Sequence, residues 1–224
     1  MEELNYEKTV KLLETLQSRY PYGRYAQQAL MEIAYANYKQ GEPEAALSAA
    51  ERFIKQFPNS ANLDYIYYLK GLINFNDNAG FFSRLSRQDP AERDPQTLRE
   101  SFDSFRELLL RFPDSLYAED SKLRMQFLIN TLSRSDIHIA SYYLRRGAYI
   151  AAVNRANTVL KEFPQTRQTR DALQILVLAY NAMGQKQLRD DAQRVLDLNV
   201  AKDGIKPNIN DTLQVSGSWW QFWL

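Results

Sequence analysis

Cysteine is absent from the 224-residue chain, and histidine occurs once. The first absence removes disulfides, Cys-ligated zinc, iron–sulfur clusters and thiol nucleophiles together. The second leaves no pair of imidazoles for a metal and takes away most Ser–His and Cys–His catalysis. His138 has no second histidine or cysteine near it, so it reads as a surface or helix-packing residue. Charge of one sign is missing as well: 28 Lys+Arg stand against 27 Asp+Glu, a net charge of +1. A nucleic-acid binder shows a clustered basic surplus, so no nucleic-acid partner is expected. No apolar run reaches the roughly 18 residues that would suggest a bilayer-crossing helix. No phosphate-cradling glycine loop or G-x-S-x-G elbow occurs. Asn76-Asp77-Asn78 resembles part of a calcium loop but lacks the glycine and glutamate at the required spacing. The composition argues against an enzyme, and neither a cofactor nor a metal is expected. The start, MEELNYEKTV, has no basic stretch followed by an apolar one, so it does not read as a signal peptide. A cytosolic protein and a mature chain whose leader has been removed both fit that start.

What is present is a repeat. The aromatic–proline pairs Tyr20-Pro21, Phe57-Pro58, Phe112-Pro113 and Phe163-Pro164 share one frame. Thr9, Leu13 and Leu16 precede the first proline. Ala46, Ala50 and Phe53 precede the second, Ser101, Phe105 and Leu108 the third, and Ala152, Ala156 and Val159 the fourth. A small residue followed by apolar ones at i+4 and i+7 forms a single stripe on an α-helix. Proline then ends the helix, because it lacks an N–H and disfavours the α region before it. Two residues on, Ser60, Ser115 and Thr166 can accept from the free N–H groups of the next helix, and Gly23 takes that place in the first copy. Helix, aromatic–Pro stop, cap, helix is the tetratricopeptide pattern, whose second helix carries A-x3-F and ends at proline. Its first-helix pattern is echoed by Leu173, Leu176, Val177 and Tyr180.

The prolines lie 37, 55 and 51 residues apart, against a period of about 34 residues. The longest gap holds a non-periodic segment, roughly Asn76 to Pro95, expected as an inserted loop. The next holds a helical stretch from about Tyr117 to Arg146, either one long helix or two with a break near Ser135-Asp136. Gly147 should end it in the left-handed conformation. Leu4 to Tyr20 reads as a second-type helix with no first-type helix before it, which implies about half a repeat upstream. The expected fold is all-α: a right-handed tetratricopeptide-repeat (TPR) helical solenoid of about five repeats, the first truncated. Residues 1–199 form the solenoid, with an amino half (1–112) carrying the insertion at 76–95 and a carboxyl half (113–199). A Trp-rich tail follows at 200–224.

Particular residues carry a resemblance beyond the repeat. Arg19-Tyr-Pro-Tyr-Gly23, Arg93-Asp-Pro-Gln96, Tyr142-Tyr-Leu-Arg-Arg-Gly-Ala-Tyr149, Val153-Asn-Arg155 and Thr169-Arg-Asp171-Ala-Leu resemble the BamD, or competence lipoprotein, family. The similarity runs from about Asn5 to Asn199. The family's signal peptide, lipidated cysteine and first helix are not matched here, and the Trp-rich tail maps onto no general family feature. The resemblance implies a non-enzymatic scaffold, lipid-anchored at the periplasmic face of the outer membrane, which assembles β-barrel proteins. Its carboxyl half would dock the POTRA region of BamA, its amino half would meet the targeting strands of unfolded outer-membrane proteins, and other lipoproteins of the complex would lie outside. By the same resemblance Arg155 pairs with a partner carboxylate, with Arg146, Gly147 and Asn154 beside it. Charge reversal at Arg155 is expected to remove docking and spare the thermal midpoint. The simpler alternative for Arg155 is an intramolecular salt bridge or a solvated side chain.

Tyrosines concentrate in the amino half. Placing Leu30 at the first position of the repeat turns Met31, Tyr35 and Tyr38 toward the concave face, where with Tyr22, Tyr25 and Tyr65 they would form a groove for an extended peptide. Packing between repeats is the plainer use of such aromatics. The tail Trp219–Leu224 admits three readings: a disordered end, a membrane-interface anchor, or a mimic of a client strand. From the repeat pattern alone, a soluble adaptor that binds peptide segments remains a second functional reading. A signal peptide with a lipidated cysteine upstream would decide against it.

Overall fold

The computed structural model describes residues 5–76 and 95–203, with the side chains of 5–75 and 95–199. The Asn76–Pro95 insertion, apart from its end residues, and the tail Trp219–Leu224 lie outside the described residues. Within them all regular structure is helical: α1 (Tyr6–Arg19), α2 (Arg24–Gln40), α3 (Pro43–Gln56), α4 (Leu63–Asn76), α5 (Pro95–Arg111), α6 (Ala118–Arg145), α7 (Tyr149–Glu162), α8 (Gln168–Ala182) and α9 (Lys186–Asp203).

The aromatic–proline stop works the same way four times. The N–H groups of Tyr20, Phe57, Phe112 and Phe163 each donate to the carbonyl four residues back, at 2.8–2.9 Å. Proline, with no N–H of its own, cannot continue the ladder. The N–H groups of Ser60, Ser115 and Thr166 then donate to Phe57, Phe112 and Phe163 across a tight turn. The Ser60 and Ser115 hydroxyls accept from the N–H groups of Asn62 and Tyr117. Thr166 behaves differently, its hydroxyl donating back to the Phe163 carbonyl at 2.9 Å. The stretch around Ser135-Asp136 is continuous helix within α6. Its end is a Schellman closure: Gly147, at φ 76°, donates to Leu144 while Ala148 donates to Tyr143. Gly41 and Gly184 close α2 and α8 likewise.

The chain divides into two compact units, residues 1–128 and 129–224, with α6 running through the boundary. In the first, successive helices pack in pairs, α1 on α2, α2 on α3, α3 on α4 and α4 on α5. Its core joins Leu30, Ile33, Ala46, Ala50, Phe53, Ile66, Leu69 and Ile73, with Leu13 and Val10 packed at the edge. In the second, α7 packs on α8 and α8 on α9. Its core gathers Ile137 and Ala140 of α6 with Ala152, Ala156, Val159, Ile175 and Leu176. The repeat frame marks buried positions directly, since all nine residues of its last three copies are 0% exposed. Phe53 and Phe105 each contribute about 1.5–3 kcal/mol by that burial. In the first copy Thr9 is exposed and Leu13 half-buried.

One contact sets the spacing of α4 and α5. Gly71 lies so close to the Phe105 ring that a Cβ on it would stand 2.5–2.7 Å from three ring carbons. The buried Ser101 hydroxyl donates to the Gly71 carbonyl at 2.9 Å. The smallest residue on one helix thus seats the largest on its neighbour.

Candidate partner-binding surfaces

In the first unit, α2, α4 and the start of α6 bring a row of aromatic side chains together. Tyr35 and Tyr38 of α2 and Tyr65 of α4 are half-buried against the core. Lys39 stands over both α2 rings, 5.5 Å from the Tyr35 centroid and 5.7 Å from that of Tyr38. Burial pushes the Tyr65 phenol well above its ordinary pKa, and its neighbours Tyr35, Glu32, Tyr117 and Tyr38 add to the shift. Tyr117, in the turn before α6, continues the row: its ring lies 5.9 Å from Tyr65 and stacks on Tyr68 at 4.6 Å. The Tyr68 hydroxyl donates to Asp120 at 2.6 Å, and Arg124 binds the same carboxylate oxygen. Burial first, then that hydrogen bond, pushes the Tyr68 phenol up to about 12. Arg124 also lies 4.9 Å above the Phe75 ring, which contacts Phe127 at 5.5 Å. This row is called the aromatic ledge below. Two shallow, open surface hollows lie elsewhere, one lined by Glu14, Gln17, Pro21 and Arg52, the other by Asp190, Gln193 and Arg194.

Of the six tyrosine and methionine positions expected in this groove, three therefore come together: Tyr35, Tyr38 and Tyr65. Tyr22 and Tyr25 are 88% and 72% exposed, before and inside the first turn of α2. Met31 is buried in the core, 9% exposed. Sequence reasoning did not single out Tyr117, Asp120, Arg124 or Phe75 for this site. Tyr117 follows the Ser115 turn signal at a fixed offset, and that offset was the available clue.

In the second unit, Arg146, Gly147, Asn154 and Arg155 are all exposed. Gly147 turns the chain between α6 and α7. Arg146 is held by Tyr142 one helical turn earlier, its Nε donating to the phenol oxygen at 3.2 Å with the guanidinium 5.5 Å from the ring centroid. Arg155 extends from α7 toward α6, where its Nη1 donates to Asp136 Oδ1 at 3.0 Å. The Asp136 side chain is only 9% accessible, while that of Arg155 remains 45% accessible. The intramolecular salt bridge considered from sequence is thus present, with the Arg155 side chain still part-exposed.

A family model described as YfiO, outer membrane lipoprotein, matches residues 1–195. The chain belongs to the YfiO family. This YfiO chain is 42% identical over 220 residues to the outer membrane protein assembly factor BamD of Neisseria meningitidis serogroup A, covering 98% of itself and 81% of that relative. It is 40% identical over 182 residues to the factor of the same name from Xylella fastidiosa, covering 81% of itself and 62% of the relative. For that of Vibrio cholerae the figures are 36% over 190 residues, 85% and 79%. The family match spans both surfaces, the aromatic ledge and the Arg155 face. No described helix of the YfiO chain is long and apolar enough to cross a membrane.

Proposed function

We propose that this chain is a non-enzymatic scaffold of outer-membrane β-barrel assembly, working at the periplasmic face of the outer membrane. The observation that carries the reading is the match to relatives named outer membrane protein assembly factors, over nearly the whole chain. Attachment to the membrane is by lipid, in keeping with the family description.

Two surfaces divide the work. Arg155, with Arg146, Gly147 and Asn154, docks the POTRA region of BamA through a carboxylate, which a fork-shaped guanidinium binds better than a point charge does. The aromatic ledge built on Tyr35, Tyr38 and Tyr65 receives the C-terminal strands of unfolded outer-membrane proteins. Tyrosine suits that task because it offers rigid apolar area with a polar tip. Lys39 over the two α2 rings adds a cation for an anionic group on the strand. Other lipoproteins of the complex bind outside these two faces.

The client reading is tested by fluorescence anisotropy with a labelled peptide copying the last strand of an outer-membrane protein. Saturable binding that weakens at least tenfold in the Tyr35→Ala/Tyr38→Ala double variant is expected, in line with the loss of two aromatic anchors. Equal binding by wild type and variant would remove the ledge from client recognition.

A further inference from the structure

The geometry points to Asp136 as the residue that positions Arg155 for a partner carboxylate. This inference rests on the docking reading of Arg155 and deepens it. Asp136 sits on α6 directly before Ile137, which with Ala140 belongs to the same core cluster as Ala152 and Ala156 of α7. Its side chain is 9% accessible, and its contact with Arg155 places the carboxylate between α6 and α7. Arg155 reaches it across the seam with Nη1 at 3.0 Å, its one hydrogen bond among the described residues.

A guanidinium has five N–H donors in a rigid plane. One N–H ties the guanidinium to Asp136 and restricts its orientation, while the side chain as a whole remains 45% accessible with donors left over. A free arginine on a helix surface would have to be ordered when a partner arrives. Here the ordering is already done by a residue the partner does not touch. Asp136 also offsets part of the Arg155 charge in place, so geometry weighs more in its attraction for a second carboxylate than long-range steering does. The partner chemistry that fits is an acidic side chain on a protein loop, bridged by Arg155 to Asp136.

The test measures association and dissociation rates of the full chain on the immobilised POTRA region of BamA. Wild type, Asp136→Asn, Arg155→Gln and the double variant are compared at several salt concentrations. Arg155→Gln should weaken binding at least tenfold, since it removes the docking group itself. Asp136→Asn should raise the dissociation rate roughly two- to tenfold at about 0.15 M salt, the expected effect of leaving one long side chain unordered. It should also steepen the salt dependence of association, because the Arg155 charge is no longer neutralised in place. The double variant should bind no more weakly than Arg155→Gln alone, because Asp136 acts through Arg155.

A role in folding alone would lower the thermal midpoint of Asp136→Asn without moving either rate constant, and that result overturns the inference. Slower dissociation of Asp136→Asn would also overturn it, showing the internal pair to be a competitor of the partner. Unchanged binding by Arg155→Gln would remove the docking reading, and this inference with it. Loss in Arg155→Gln with no kinetic change in Asp136→Asn removes this inference only.

Discussion

Alanine at position 71 should destabilise the first unit, although alanine is the better helix former. In a helix interior the exchange of glycine for alanine is favourable by about 0.5–1 kcal/mol. Against this, the added Cβ would stand 2.5–2.7 Å from three carbons of the Phe105 ring, and Phe105 is 0% exposed. The ring cannot swing into solvent, so α4 and α5 must move apart or Phe105 must leave its rotamer. Overpacking of this kind costs about 1–3 kcal/mol. The shift would also strain the Ser101–Gly71 hydrogen bond, which is buried. The balance is a net loss on the order of 1–2 kcal/mol, or a fall in the thermal midpoint of about 2–4 °C per kcal/mol. Urea unfolding followed by circular dichroism measures it. A Gly71→Ala/Phe105→Leu double variant should recover part of the loss, because the smaller side chain admits the methyl group. Gly71→Ala as stable as wild type would refute the close approach as the determinant of α4–α5 spacing. The consequence reaches function, since Tyr68 packs on Phe105 at 6.0 Å and leads into the ledge.

Three further outcomes follow from the contacts. Arg155→Glu would face Asp136 with a second carboxylate at the α6–α7 seam. The structure therefore revises the expectation of an unchanged thermal midpoint, and a loss of about 1–2 kcal/mol is expected, reduced from the cost of a fully buried pair because Arg155 is half in water; a midpoint within 1–2 °C of wild type (about 0.5 kcal/mol) would contradict it. Tyr68 keeps its proton to about pH 12 in the folded chain, against an ordinary value near 10, so its contribution to stability is complete below pH 10 and is lost as pH rises toward 12. Absorbance titration should show a late-ionising phenol that disappears in Tyr68→Phe, and a titration unchanged by that substitution would refute the assignment. Gly147→Ala should cost about 1–2 kcal/mol, because the φ of 76° favours glycine and no neighbour is crowded by the methyl group; hydrogen exchange at Ala148 reads the loosened closure, and unaltered protection would count against it.

The second helices of the repeats were the most legible part of the fold. A fixed offset from proline locates Ser101, Phe105 and Leu108, or Ala152, Ala156 and Val159, and burial follows from helical geometry alone. The turns were nearly as clear, because the absence of an N–H on proline and the left-handed φ of Gly147 are properties of single residues. The frame did not carry what depends on register between helices. Gly71 is an unremarkable residue in sequence, and only the approach of Phe105 gives it a role. Asp136 and Arg155 lie 19 residues apart, and nothing in either neighbourhood says that the α6–α7 packing brings them together. The ledge was half visible: Tyr35 and Tyr38 share a helix face, but Tyr117 and Arg124 join them only through the folding of α6 beside α4.

The most direct test of the scaffold reading is a calorimetric titration of this chain with the purified POTRA region of BamA. Saturable binding at one site per chain is expected, lost in Arg155→Gln with the helical circular-dichroism spectrum unchanged. Absence of binding by the wild-type chain, or equal binding by the variant, would contradict docking through Arg155.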